Sequence, residues 1–81
     1  MKYYVYVLQC QKDGSLYKGL TKDLSSRIQE HNAGHVKHTK SRLPVKLIHQ
    51  EELPSREEAR RREKFLKSGS GRSFLKKIIP L

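Results

Sequence analysis

In the segment after Pro54, Ala59 and Leu66 mark the inward stripe of a predicted helix, and the residue on that stripe between them is Glu63. Removing an unpaired carboxylate from water costs several kcal/mol, so Glu63 calls for a cation, a metal ion or an open cleft beneath it. A salt bridge to one of the many arginines would meet the same need. Two tyrosines form a second constellation. If Asp13-Gly14 is a two-residue turn, Cys10 pairs with Tyr17, Leu8 with Gly19 and Tyr6 with Thr21, which puts Tyr6 and Tyr17 on one face of a hairpin. Gly19 lies between them there and leaves a gap in the side-chain carpet, the usual mark of a bulge or of another molecule approaching the backbone. Arg27 and His31 are one helical turn apart and flank the apolar stripe begun by Leu24 and Ile28.

These residues must be positioned by short elements. Lys2 to Cys10 is aromatic and β-branched with apolar residues at both parities, as expected of a central strand covered on both faces. Leu16 to Thr21 reads as the returning strand. Thr21 or Asp23 caps the first helix, which Gly34 stops. His35 to Leu43 has no useful periodicity and reads as a basic loop closed by Pro44. Val45 to His49 supplies a third strand, and Ser55 with Glu58 forms a capping box for the second helix, expected to run to about Lys67. Ser68-Gly69-Ser70-Gly71 ends that helix. Arg72 to Ile79 then forms a last one, with Phe74, Leu75, Ile78 and Ile79 as its apolar side. The order is β-β-α-β-α-α, an α+β fold in one domain spanning residues 1–81.

At 81 residues the chain can bury only about 60–65% of its unfolded surface, so any active site lies on a thin core. Eighteen Lys and Arg against eight Asp and Glu give a formal net charge of +10, distributed along the chain, which points to a polyanionic partner. The apolar run at the N-terminus is far shorter than the ~20 residues of a membrane span, and no helix pairs a broad apolar face with a basic one, so no membrane partner is expected. Cys10, the single cysteine, permits no intramolecular disulfide and lacks zinc-ligand spacing. No disulfide-linked partner is expected, and a reducing, cytoplasmic compartment fits.

The ordered set Tyr4-Val5-Tyr6, Tyr17-Lys18-Gly19, Arg27 to His31 and Arg62-Glu63-Lys64 resembles the GIY-YIG nuclease superfamily, specifically its small stand-alone members, and is similar to the N-terminal nuclease domain of the DNA-repair excinuclease. Tyr4 stands for the usual Gly of the first motif and Lys18 for the usual Ile of the second. The resemblance covers essentially the whole chain, down to the closing stretch Phe65 to Gly69, Gly71-Arg72 and Phe74-Leu75. Many members carry an Asn after the Glu; the only Asn here is Asn32.

The resemblance implies a three-stranded antiparallel sheet flanked by helices and a one-metal site for phosphodiester hydrolysis, with DNA favoured over RNA. Glu63 would hold Mg2+ or Mn2+, hard ions that prefer oxygen ligands. Tyr6 and Tyr17 would activate the attacking water, the nearby charge of Arg27 and the metal lowering the phenol pKa from about 10. Arg27 would also stabilise charge on the phosphate, His31 would relay a proton or bind the phosphate, and Gly19 would admit the scissile phosphate. Lys18, Lys37, Lys40, Arg42, Arg60, Arg61 and Lys64 are the expected backbone contacts, which read no sequence. Selectivity for the shape of the nucleic acid follows better than a recognition site. The competing reading, favoured by the missing Asn, is a nucleic-acid-binding module on the same fold that cuts poorly or not at all.

Overall fold

The first strand, β1 (Tyr3–Cys10), is apolar at both parities because both its faces are covered. It is the middle strand of a three-stranded antiparallel sheet, between β2 (Leu16–Thr21) and β3 (Val45–Leu53). This computed structural model describes residues 2–79. On one face Tyr6, Leu8 and Cys10 pack with Val45 and with half-buried Tyr17, Leu24, Ile28, Leu43 and Leu47, under α1 (Leu24–Asn32). On the other, Val5 and Val7 pack with Ala59 and Leu66 of α2 (Arg56–Lys67) and with Leu75 and Ile79 in and after α3 (Gly69–Ile78). Fully burying each such aliphatic side chain stabilises the fold by about 1.5–3 kcal/mol.

The hairpin differs from the expected one. A type I′ turn requires positive φ at both central residues, but among the described residues only Gly14 and Gly34 have positive φ, at 75° and 81°. Asp13 instead accepts hydrogen bonds from the Ser15 backbone N–H (2.9 Å) and hydroxyl (2.7 Å). That local turn lengthens the connection to Gln11–Gly14, closed by Cys10 N–H to Ser15 O at 2.8 Å. Tyr6 therefore pairs with Gly19 and Leu8 with Tyr17, two residues from the expected register. A shift of two preserves parity, so Tyr6 and Tyr17 still share a face.

Asp23 caps α1 by accepting from the Ser26 N–H, and Ser55 caps α2 by accepting from the Glu58 N–H. The last helix begins earlier than its glycines suggest. Ser68 closes α2 and, by accepting from the Gly71 N–H, opens α3, so Gly69-Ser70-Gly71 is the first turn of a helix and not a linker. Its predicted apolar side holds at Leu75 and Ile79, whereas Ile78 is exposed. Strand β3 runs four residues past the expected His49. Between the pairs Leu8–Leu47 and Val7–His49 it carries an extra residue, Ile48. This bulge moves His49 and Glu51 from the α1 side, where plain alternation from Val45 and Leu47 would put them, to the α2/α3 side.

Candidate active site

Tyr6 points from the centre of the sheet toward its β2 edge and lies across Gly19. A Cβ on Gly19 would stand 2.5 Å from the Tyr6 phenolic oxygen and 3.1 Å from the Tyr17 ring. The gap expected to admit a phosphate is thus filled by Tyr6, which only a glycine opposite allows to lie down on the strand. The Tyr6 side chain, 1% exposed, meets two residues of α1. The Arg27 Nε–H donates to its oxygen at 3.4 Å, and His31 Nε2 lies 3.2 Å away. At its other ring nitrogen His31 meets the Thr39 hydroxyl at 2.8 Å, and Thr39 reaches the Val36 carbonyl at 3.5 Å.

The proton positions follow from donor counting. Thr39 has one proton, directed at Val36, so it accepts from His31 Nδ1–H. His31 Nε2 is then a bare lone pair, and the buried Tyr6 O–H has it as acceptor. Burial, helped by the charge of Arg27, lowers the His31 pKa and keeps the ring neutral. Tyr6 departs from the expectation for its acidity. Burial raises its pKa, reinforced by Tyr17 and Glu63, and outweighs the Arg27 hydrogen bond that lowers it. Tyr6 is a phenol that donates.

Tyr17 is the tyrosine that meets the outside. Its ring stands edge-on to His31 at 4.9 Å between centroids and 6.2 Å from Tyr6, and it lines an open groove of about 340 Å³ with Leu16, Lys18, His38, Arg42 and Lys67. Glu63 reaches this region from the other layer. Arg62 on α2 bonds Glu51 on β3, whereas its neighbour Glu63 acts on Tyr6 and its partner Lys67 lines the groove. The Glu63 side chain is 14% exposed and its partner is Lys67 at 3.6 Å, one turn on, rather than an arginine.

The structure therefore brings Tyr6, Tyr17, Arg27 and His31 into direct contact, with Glu63 across the edge strand. Arg27 keeps 33% of its side chain exposed and shares its charge with Glu30 at 3.4 Å. Among the expected backbone contacts, Lys18 and Arg42 line the groove, although Arg42 also ties the loop down by donating to the Ser15 hydroxyl at 3.1 Å and to the His38 carbonyl. Lys37 and Lys40 are exposed on the same loop. Arg60, Arg61 and Lys64 are exposed on α2, where Arg60 shares the Glu63 flank while Arg61 points away from it. Asn32 is engaged, its side chain accepting from the Val45 N–H at 2.9 Å and donating to the Val45 carbonyl at 3.4 Å. Thr39 was missed by sequence reasoning: a fully buried threonine in an aperiodic basic loop gives no signal until the loop is seen folded back over α1.

Residues 2–77 match the GIY-YIG catalytic domain. The chain belongs to the GIY-YIG family. It is 49% identical over 78 residues to a UPF0213 protein of Staphylococcus haemolyticus, covering 95% of this chain and 94% of that one. A UPF0213 protein of Streptococcus sanguinis is 49% identical over 67 residues, covering 82% and 76%. The solution NMR structure of a UPF0213 protein from Bacillus halodurans superposes with a TM-score of 0.59 at 40% identity, over 96% of this chain and 85% of that one. GIY-YIG is a nuclease family, so its domain has nucleic acid as substrate. No helix among the described residues is long and apolar enough to cross a membrane.

Metal dependence is typical of GIY-YIG nucleases. Among the described residues no three His, Cys, Asp or Glu side chains converge, so the protein offers no closed cage. One largely buried carboxylate beside a groove-lining lysine suits a hard divalent ion, which keeps several waters and takes substrate phosphate oxygens as further ligands. Glu63 fits that mode of binding.

Proposed function

We propose that this chain is a divalent-metal-dependent endonuclease that hydrolyses phosphodiester bonds in DNA, selecting by shape and not by sequence. The observation that carries the reading is the buried chain Tyr6–His31–Thr39, closed by Arg27, against which the groove-facing Tyr17 rests. A phosphodiester lying in the groove would meet the Tyr17 phenol, beside which the partly exposed guanidinium of Arg27 adds positive charge. Tyr17 would orient the water whose oxygen attacks phosphorus, its phenol oxygen receiving that water's proton while its own proton passes to a phosphate oxygen and on to the sugar oxygen released as the P–O bond breaks. Arg27 would balance charge on the phosphoryl oxygens. Tyr6 and His31 are too buried to touch substrate. They position Arg27 and Tyr17. Bound to Glu63, Mg2+ or Mn2+ would supply charge stabilisation for the same phosphate.

Lys67 at 3.6 Å from Glu63, together with the engagement of the only Asn, favours the second reading, a binder of the same fold that cuts slowly. The test is incubation of the pure protein with labelled linear, branched and single-stranded DNA and with RNA, in Mg2+, Mn2+ or EDTA. Cleavage of DNA that EDTA abolishes and Glu63→Gln lowers by about 100-fold or more, with DNA affinity retained, supports the enzyme. Binding without cleavage in every metal supports the binder.

A further inference from the structure

On β2 the even-numbered side chains face α2 and α3. Between half-buried Leu16 and Leu20 that face carries Lys18. Its stem lies along apolar surface and its ammonium emerges at the edge of the sheet. Among the described residues no carboxylate stands within ion-pair reach of Lys18 and no acceptor bonds it; its charged neighbours are Lys67 and Arg72. Burial first, then the charges of Arg72 and Lys67, lower its pKa. Two depressions meet at Leu16 and Lys18. One is the groove of about 340 Å³ that holds Tyr17 and Lys67. The other, of about 280 Å³, runs on beneath Arg72 and Lys76 of α3.

We infer that Lys18, Lys67 and Arg72 form a seat for a second phosphodiester of the bound strand, on the α2/α3 side of the β2 edge and next to the reaction groove. The inference rests on the nucleic-acid reading above and adds the path of the strand, from the Tyr17 groove over Lys18 toward Arg72. Lys67 and Arg72 flank the Lys18 ammonium, Lys67 also pairing with Glu63, and an anion among the three cations converts their repulsion into binding. Charge on an edge strand also blocks pairing with another chain. That role needs Lys18 alone and leaves the convergence of Lys67 and Arg72 unexplained.

The test is titration of a fluorescent DNA duplex in EDTA with wild type, Lys18→Gln, Arg72→Gln and Lys46→Gln, the last lying at the start of β3, the other edge of the sheet. Over roughly 50 to 200 mM salt, Lys18→Gln and Arg72→Gln should each flatten the log–log slope by about 0.9, while Lys46→Gln leaves it unchanged. Both seat variants should unfold no earlier than wild type, because a crowded cation has been removed. A steep wild-type salt dependence that neither seat variant flattens overturns the seat alone. In a second measurement, inorganic pyrophosphate is titrated into labelled protein and followed by NMR. Saturable shifts at Lys18 and Arg72 support the seat even where no nucleic acid binds, and in that case it is the nucleic-acid reading that falls. Shifts confined to other residues overturn the seat.

Discussion

Each face of β1 carries a histidine, an arginine and two aromatic rings in contact. Under α1 the set is His31, Arg27, Tyr6 and Tyr17. Under α2 and α3 it is His49, Arg62, Phe65 and Phe74, with Arg62 4.7 Å from one phenyl centroid and 4.9 Å from the other. The decisive difference is Glu51. It takes both ends of Arg62, at 2.7 and 3.2 Å, and His49 at 2.8 Å. The largest single influence on its pKa is burial, which raises it. The hydrogen bonds from Arg62 and His49 together win, and the net pKa is lowered. That cluster is saturated and staples β3 to α2. The α1 cluster has phenols where the other has phenyls. Among the described residues only exposed Glu30 pairs with Arg27, and the Tyr17 ring opens on a groove. Polar groups facing inward are common to both; a site is distinguished by bonding capacity left facing solvent.

Substitutions on the two sides should therefore separate activity from stability. The largest effect is expected from Tyr17→Phe, which keeps the ring and removes the groove-facing hydroxyl. DNA cleavage should fall by about 100-fold or more while the thermal midpoint moves little. A mutant that cuts like wild type would take Tyr17 out of the reaction. Next comes Gly19→Ala. Its methyl displaces the Tyr6 phenol, costing about 1–3 kcal/mol by denaturant titration and reducing cleavage beyond the folded fraction lost. Unchanged stability would mean that Tyr6 does not lie across Gly19.

Glu51→Gln should do the reverse of Tyr17→Phe, costing about 1–2 kcal/mol with cleavage per folded molecule intact. Because the folded pKa of Glu51 is depressed, its contribution is complete above the ordinary carboxylate value near 4.3 and fades as pH falls through the folded value. The wild-type advantage over Glu51→Gln should shrink over that window, and an advantage constant with pH would contradict the ion pair. The smallest effect belongs to His31, whose pKa is also depressed, so that the unfolded chain takes up the proton first. Wild-type stability should decline slightly as pH drops below about 6.5. A decline that survives unchanged in His31→Gln would take it away from His31.

What the sequence made legible follows the reach of local patterns. Parity placed Tyr6 and Tyr17 together and survived a wrong loop length, because the shift was of two residues. The stripe of α2 exposed Glu63 as an anomaly but not its partner: Lys67 lies one turn along the same helix, whereas Arg62 was already taken by Glu51. That pairing was invisible because the bulge at Ile48 reverses which residues of β3 face inward, and nothing in Leu47-Ile48-His49 announces an extra residue. His31 and Arg27 were found by helical spacing. Thr39, which settles the tautomer of His31, comes from an aperiodic segment and needed coordinates.

The order of these residues along the chain also bears on biogenesis. Tyr6, Gly19, Tyr17, Arg27, His31 and Thr39 all precede β3, while Glu63 and Lys67 follow it. During synthesis from the N-terminus, the strand that closes the sheet and the helix that carries the acid emerge only after the tyrosines, arginine and histidine. A growing chain of this strongly basic protein, surrounded by RNA, thus holds its tyrosines, arginine and histidine before it holds its one candidate metal ligand. A product truncated after β3 would keep the phenols and much of the positive charge without the carboxylate.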